Sequence, residues 1–335
     1  MSARRLLVAV AGLGAILAAG PLPAQESHAL VVVGLGGTEE YRKDFGTWAS
    51  ALHSALTGRL GLAPASVTVL AEADDIAAGV VGGRSTREGV IAALSAMAHA
   101  AGHQDRILVV LIGHGTAQGE EGRLNLPGPD LSGEDLALAL QAFPTQTVAV
   151  VHTGSAGGGF VAPLSGPRRI VLSATRTARE RNATEFAPYF VEALAGDGAD
   201  LDKDGAISLL EAFVYARSEV ARHYAERKEL LTEHAVLDDD GDGKGSPDPG
   251  AEAPDGPRAQ AFRMGVASAR PAPSTTDPVL ARLYDERRGI QQRLDELRTR
   301  RDTMPPERYD EALEALLVEL ALKNREIRAR EGGGA

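Results

Sequence analysis

Twelve consecutive residues, Asp200-Leu-Asp202-Lys-Asp204-Gly205-Ala206-Ile207-Ser208-Leu-Leu-Glu211, space their oxygen-bearing groups so that the chain can wrap a hard cation. Carboxylates stand at positions 1, 3 and 5 of this loop, and Gly205 at position 6 permits the sharp turn that gathers them. Ala206 offers a backbone carbonyl at position 7, Ser208 can hold a water at position 9, and Glu211 at position 12 can give two oxygens. Ile207 is the apolar residue that pins such a loop to a neighbour. Together these features describe an EF-hand-type loop, and the ion implied is Ca2+. A merely solvated acidic turn ahead of a helix needs none of them in combination. A second segment, Asp238-Asp-Asp240-Gly-Asp242-Gly243, repeats the opening of the first. Its twelfth position falls on Pro249, which has no side-chain oxygen. Asp238, Asp240 and Asp242 are therefore a second possible metal site, which binds calcium weakly, pairs with the first loop, or is a plain solvated turn.

The other residues with chemical potential sit where apolar runs end. Arg106-Ile-Leu-Val-Val-Leu-Ile112 leads into Gly113-His114-Gly115, and Thr147-Val-Ala-Val-Val151 leads into His152-Thr-Gly154-Ser155-Ala-Gly157-Gly-Gly159. A histidine facing a serine can act as base to nucleophile, with turn amides holding an oxyanion. Gly34-Leu-Gly36-Gly37 does not fit a dinucleotide loop, because its third glycine is out of place. His99 and His103 lie four apart with nothing else converging on them, and read as surface histidines.

These residues need elements to hold them. Ala29–Val33, Ser66–Leu70, Arg106–Ile112, Thr147–Val151 and Arg169–Ser173 read as buried strands. Between them run helical patterns. One is capped by Thr38 and presents Tyr41, Phe45, Trp48, Leu52 and Leu56. Another opens on a Ser85–Glu88 capping box and buries Val90, Ile91, Leu94 and Met97. A third starts at Asp130-Leu-Ser132 and runs through Leu136, Leu140 and Phe143, and a fourth spans Phe186–Ala195. Such alternation predicts an α/β fold, a mostly parallel sheet with helices on both faces. Ligands of such sheets sit at the carboxyl ends of the strands, where His114 and the 152–159 turn both fall.

As a set these features resemble the caspase and legumain group of cysteine peptidases, over roughly residues 28 to 225. The resemblance matches His114-Gly115 to the family's general base, and lays His152-Thr-Gly154-Ser155-Ala-Gly157 on its Asp-Ala-Cys-x-Ser-Gly turn without a gap. Leu126-Pro-Gly-Pro-Asp130-Leu and Ser173-Ala-Thr-Arg176 extend it, and bacterial members often follow with an Asp-rich loop and a Leu-Glu helix. The departure is that the nucleophilic position is Gly154 and the chain has no cysteine at all. Thiolate chemistry is thereby excluded. His152 also replaces the Asp of the family turn. Two readings stay open. One is a pseudopeptidase whose cleft binds a peptide or protein partner as a scaffold; the other is a serine-variant hydrolase with Ser155 as nucleophile and His114 as base.

Composition narrows the setting. Arg4 and Arg5 precede an apolar run from Leu6 to Ala19 and a small-residue stretch ending at Ala24. Residues 1–24 read as a secretory signal peptide, with an uncleaved anchor as the alternative, and the protein as exported, periplasmic or secreted, from a bacterium. The formal net charge of −11 argues against nucleic acid or an anionic membrane surface as partner. Without disulfides, an exported chain relies on its core and on bound ions. The expected domains are 25–227, the α/β unit with its calcium loop; 228–278, an acidic segment and a Pro/Gly/Ala-rich linker from Lys244; and 279–331, a helical hairpin or coiled coil able to mediate oligomerisation.

Overall fold

The computed structural model describes residues 25–77, 79–202, 204–264, 277–299 and 304–332, so the expected leader at 1–24 lies outside the described residues. An unbroken apolar run makes β1 (Ser27–Val33), which is buried at every position. Helix α1 (Glu39–Ser54) starts where the Thr38 hydroxyl accepts from the Tyr41 amide at 3.3 Å. β2 (Val67–Ala71), β3 (Val81–Arg84), α2 (Arg87–Ala100) and β4 (Arg106–Ile112) follow. The chain then forms a small antiparallel sheet of β5 (Gly115–Gln118), β6 (Glu121–Leu124) and β7 (Leu131–Ser132) before α3 (Gly133–Ala139). β8 (Thr147–His152), α4 (Val161–Leu164), β9 (Arg169–Ser173), α5 (Phe186–Ala195), α6 (Leu209–Arg227), β10 (Val236–Asp238) and α7 (Pro257–Ala261) complete the domain.

The main sheet has the order β10-β9-β8-β4-β1-β2-β3. All its pairings are parallel except that of β10 with β9. Because strand side chains alternate, each central strand feeds two cores. Val31, Val110, Val151 and Leu172 face α1, α5 and α6, whose Phe45, Phe190 and Phe213 cover them. Val32, Val109, Val150 and Val171 face α2, α3 and α4, under Leu94, Leu136 and Val161. The expected α/β architecture with helices on both faces is what the chain adopts. Strand order reverses at β1, which lies between β2 and β4, so the crevice at the carboxyl ends of β1 and β4 is the topological switch point.

Three local expectations are corrected. Helix α2 is capped by Thr86, whose hydroxyl accepts from Gly89 N at 3.0 Å, not by Ser85. Ser85 still belongs to the sheet edge, its amide donating to Ala71 O. Ile91 is 41% exposed, since it lies about 100° around the helix from Val90 while Leu94 and Met97 return to the buried face. The segment read as linker from Lys244 is, up to Met264, part of the domain. Ala259, Phe262 and Met264 lie in the core beside α6, and Phe262 O accepts from Leu209 N at 3.0 Å. Few of its residues are apolar, so its packing left almost no periodic signal; residues 265–276 lie outside the described set.

The tail is an α-hairpin of α8 (Pro278–Thr299) and α9 (Pro306–Gly332). Cross-pairs Arg330–Asp277 (2.7 Å), Lys323–Glu286 (2.8 Å) and Arg293–Glu319 (2.7 Å) define its antiparallel register. Among its described residues, Ile290, Leu294, Leu297 and Ile327 are the buried apolar ones. Arg287, which breaks the apolar spacing, is itself buried with its guanidinium 5.3 Å from the Tyr284 ring centre. Among the described residues no helix is long and apolar enough to cross a membrane.

If residues 244–264 belong to the domain, Phe262→Ala must open a cavity in its core. The expected loss is about 3–5 kcal/mol in urea unfolding. A linker phenylalanine would change nothing.

Candidate functional site

His114 and the 152–159 turn meet at the switch point, because β4 and β8 are neighbours in register and both strands end there. Gly113 takes φ +155 as β4 ends, turning His114 toward α1. Its ring packs edge-on against Tyr41, centroids 4.3 Å apart, and lies 5.1 Å from Phe45. Burial among these rings lowers the imidazole pKa, so the ring is neutral at pH 7. Its nitrogens have no hydrogen-bond partner among the described residues.

Ser155 is brought close to the same place but its hydroxyl is already engaged. It accepts from Gly115 N at 3.0 Å and donates to Gly115 O at 3.2 Å, and the residue is 3% exposed. No hydrogen bond joins Ser155 to His114 among the described residues, so the pair is adjacent in the fold without forming a nucleophile–base dyad. The turn is held from several sides. Thr153 donates to Leu111 O from both its amide and its hydroxyl, and Thr184 Oγ1 donates to Thr153 O at 2.7 Å. Ala156 N donates to Glu180 O.

Gly154, where the resemblance places the nucleophile, lies flat against the preceding turn. A Cβ there would sit 1.8 Å from Gly113 O, far inside contact distance. The position has neither a thiol nor the space for any side chain. His152 does not face the crevice. It is fully buried against Phe160 (4.6 Å), its Nδ1 accepts from Gly154 N at 3.3 Å, and Nε2 has no partner among the described residues. Burial pulls its pKa down to about 4.

The acidic loop closes as its spacing predicts. Gly205 adopts φ +88, and its amide donates to Asp200 Oδ2 at 2.9 Å. Asp204 N donates to Asp202 Oδ1, and Ala206 N to Asp204 Oδ1. Glu211 Oε1 accepts from the amides of Leu201 and Asp202, while Oε2 accepts from Ser208 N. Asp200, Asp202 and Glu211 each bring an oxygen within 4.8 Å of the others. Asp202 as a residue is exposed, yet its carboxylate is hemmed in. Desolvation first, then the charges of Asp204 and Glu211, push it up to about 7. That unneutralised charge is what a divalent cation would cancel, and an all-oxygen donor set fits calcium.

Two loop residues depart from expectation. Asp204 pairs with Arg263 at 2.6 Å, because the segment after α7 passes behind the loop. Ser208 is fully buried, and its hydroxyl accepts from Glu211 N at 3.2 Å as the N-cap of α6; it has no room for a position-9 water.

The second acidic segment repeats most of this arrangement. Its position-6 amide, Gly243 N, instead donates to Ser165 Oγ at 3.0 Å, and Ser165 Oγ donates to Asp238. Gly243 takes φ +78, Asp242 N donates to Asp240 Oδ1, and Lys244 N donates to Asp242 Oδ1. Here it is the carboxylates at positions 1, 3 and 5, Asp238, Asp240 and Asp242, that bring oxygens within 4.8 Å of one another. The part of Glu211 is taken by Asp255, whose Oδ1 accepts from Asp239 N (2.9 Å) and Asp240 N (3.3 Å), the amides at loop positions 2 and 3. In both loops position 9 makes an isolated antiparallel bridge, Ser208 with Arg263 and Ser246 with Leu237. Sequence spacing missed Asp255 because the chain makes a detour before it returns. The one available signal was an acid directly before Gly256-Pro257, where a new helix begins.

Two outcomes test this geometry. Gly154→Cys should fail to create a reactive thiol centre and should cost about 1–3 kcal/mol in thermal unfolding, from overpacking against Gly113. For His152, the unfolded chain takes up a proton near 6.5 and the folded chain only near 4. Stability is therefore full above pH 6.5 and is lost as pH falls toward 4, by about 3 kcal/mol. His152→Asn, which keeps an acceptor for Gly154 N, should flatten that acid limb in a pH series of urea melts.

No protein-family model matches the chain, and no curated protein matches it. Among solved structures it is similar in outline to the crystal structure of drICE, at 13% identity and a TM-score of 0.40 over 64% of this chain and 87% of that one. It is similarly related to caspase-1 from Spodoptera frugiperda, at 13% identity and a TM-score of 0.41 over 64% and 88%. A structure of pro-sf-caspase-1 gives 12% identity and a TM-score of 0.36 over 60% and 83%.

Proposed function

We propose that this chain is an exported, calcium-binding and catalytically inactive caspase/legumain-like domain that serves as a binding or scaffold module. The observation that carries the inactive reading is the closed turn at the switch point. Gly154 has no space for a side chain, and the Ser155 hydroxyl is held by both backbone groups of Gly115. A serine-variant hydrolase would need Ser155 to leave both bonds and turn to His114, whose neighbours are aromatic rings. The strand-end crevice then serves recognition of a peptide or protein partner, and the helical hairpin is available for assembly.

Calcium supports the fold in this reading. Loop 200–211 joins α5 to α6, and loop 238–255 follows the edge strand β10, so an ion in each would tie the chain's last third to the sheet. The helix after the first loop has no Met-rich face to expose, which suits a structural ion better than a switch.

Hydrolysis of a diverse fluorogenic peptide library, with calcium and with chelator, tests the whole. No turnover is expected from folded protein, and cleavage abolished by both Ser155→Ala and His114→Ala would overturn it. Titration calorimetry should find two calcium ions per chain, and free calcium at about a hundred times Kd should stabilise by about 2.7 kcal/mol per site. Glu211→Gln should remove one of the two ions and Asp255→Asn the other. A melting curve indifferent to calcium and chelator would remove the metal from the proposal.

A further inference from the structure

A cleft of about 300 Å3 opens between α6 and the segment that leads into β10, with Pro247 of the second acidic loop in its lining. It sits at the carboxyl end of β9. Val236 pairs with Ser173, so residues 233–235 and Arg176 extend past the sheet at the same end. That is where open α/β sheets hold small ligands, and the volume falls at the lower end of such sites. Phe186, Val220 and Leu231 give it apolar walls.

Glu233 lines this cleft and is 3% exposed. Its Oε1 accepts from Glu185 N at 2.7 Å at the start of α5, but Oε2 is buried with no hydrogen bond among the described residues. The nearby Tyr224 hydroxyl lies 3.2 Å from Thr232 Oγ1 and interacts with the Glu233 carboxyl as well. Burial lifts the Glu233 carboxyl to about 7, against the lowering by the Glu185 amide and the Tyr224 hydroxyl. A buried carboxylate oxygen left unpaired is costly, and a donor arriving in the cleft relieves that cost. The other charged groups of the lining are mostly engaged. Arg217 pairs with Asp248 at 2.6 Å, and His234 lies 3.4 Å from Glu180. Arg176 is exposed and has no ion pair among the described residues.

We propose that this cleft binds a free apolar α-amino acid, its ammonium on Glu233 Oε2, its side chain between Phe186, Val220 and Leu231, and its carboxylate at Arg176. The chemistry decides among classes. A simple carboxylate would meet Glu233 without a donor to offer it. A metal ion would find one carboxylate and one imidazole beside two arginines, too few donors and the wrong charge. A polyanion would meet a chain of net charge −11. A zwitterion alone answers both the buried acid and the unpaired guanidinium.

Calorimetry on the full chain tests this with five probes, L-leucine, L-isoleucine, L-valine, L-methionine and L-phenylalanine. N-acetyl-L-leucine, which lacks the ammonium, and 3-methylbutylamine, which lacks the carboxylate, serve as controls. At least one amino acid should bind, N-acetyl-leucine should not, and the amine should bind more weakly. Glu233→Gln keeps an oxygen for Glu185 N, so the fold is expected to survive; affinity should fall by at least about tenfold. Arg176→Gln, an exposed change, should weaken the amino acid while leaving 3-methylbutylamine unchanged. The proposal is overturned if no probe binds to protein shown to be folded by circular dichroism. Equal binding of leucine and N-acetyl-leucine, or an unaltered affinity in folded Glu233→Gln protein, would overturn it as well.

Discussion

Burial of the parallel sheet on both faces is the constraint from which the rest follows. β1, β4 and β8 are closed to solvent along almost their whole length, so their backbone groups can be satisfied only by one another. Helices must therefore cover both sides, and the chain can present functional groups only where strands end. At the carboxyl ends of β4 and β8 two turns meet so closely that one must be glycine at Gly154 and the other runs Gly113-His114-Gly115. The tightness that closes the sheet here also removes the space a nucleophile would need.

The segment from Arg176 to Glu185 links three regions that the sheet alone would leave separate. Glu180 holds the Gly-rich turn through its carbonyl and the β10 approach through its carboxylate, which accepts from His234 N at 2.9 Å. Thr184 reaches back to Thr153, and Glu185 N is received by Glu233. Rigidity at the crevice and the shape of the cleft beside α6 thus depend on the same ten residues.

Electrostatics divides the molecule in another way. The strand-end site is neutral and apolar: His114 and His152 are both driven toward their uncharged forms by burial. The acidic loops are the opposite: burial first, and then the charges of neighbouring carboxylates, push Asp202, Asp238 and Asp255 upward. Like charges held that close by backbone amides remain unfavourable until a cation joins them. The fold tolerates this at its periphery, next to α6 and β10, where hydrogen bonds from main-chain amides fix the loops in place.

Sequence alone determined the five apolar strands of the main sheet (β1, β2, β4, β8 and β9), though not β3, β10 or the small sheet. It also determined most of the helical faces, the first acidic loop and the absence of a thiol, because each depends on neighbours a few residues apart. Apolar runs set the buried strands, and Asp-x-Asp-x-Asp-Gly spacing sets a loop whose amides fold onto their own carboxylates. Only the tertiary structure decided what depends on distant segments meeting. Asp255 completes the second loop across a detour of 13 residues from Asp242, which no fixed spacing encodes. Phe262 enters the core from a stretch whose Pro and Gly content reads as linker. Ser155, placed by sequence beside His114, gives its hydroxyl to Gly115, because hydroxyl direction is set by the backbone that packs over it and not by its place in the chain.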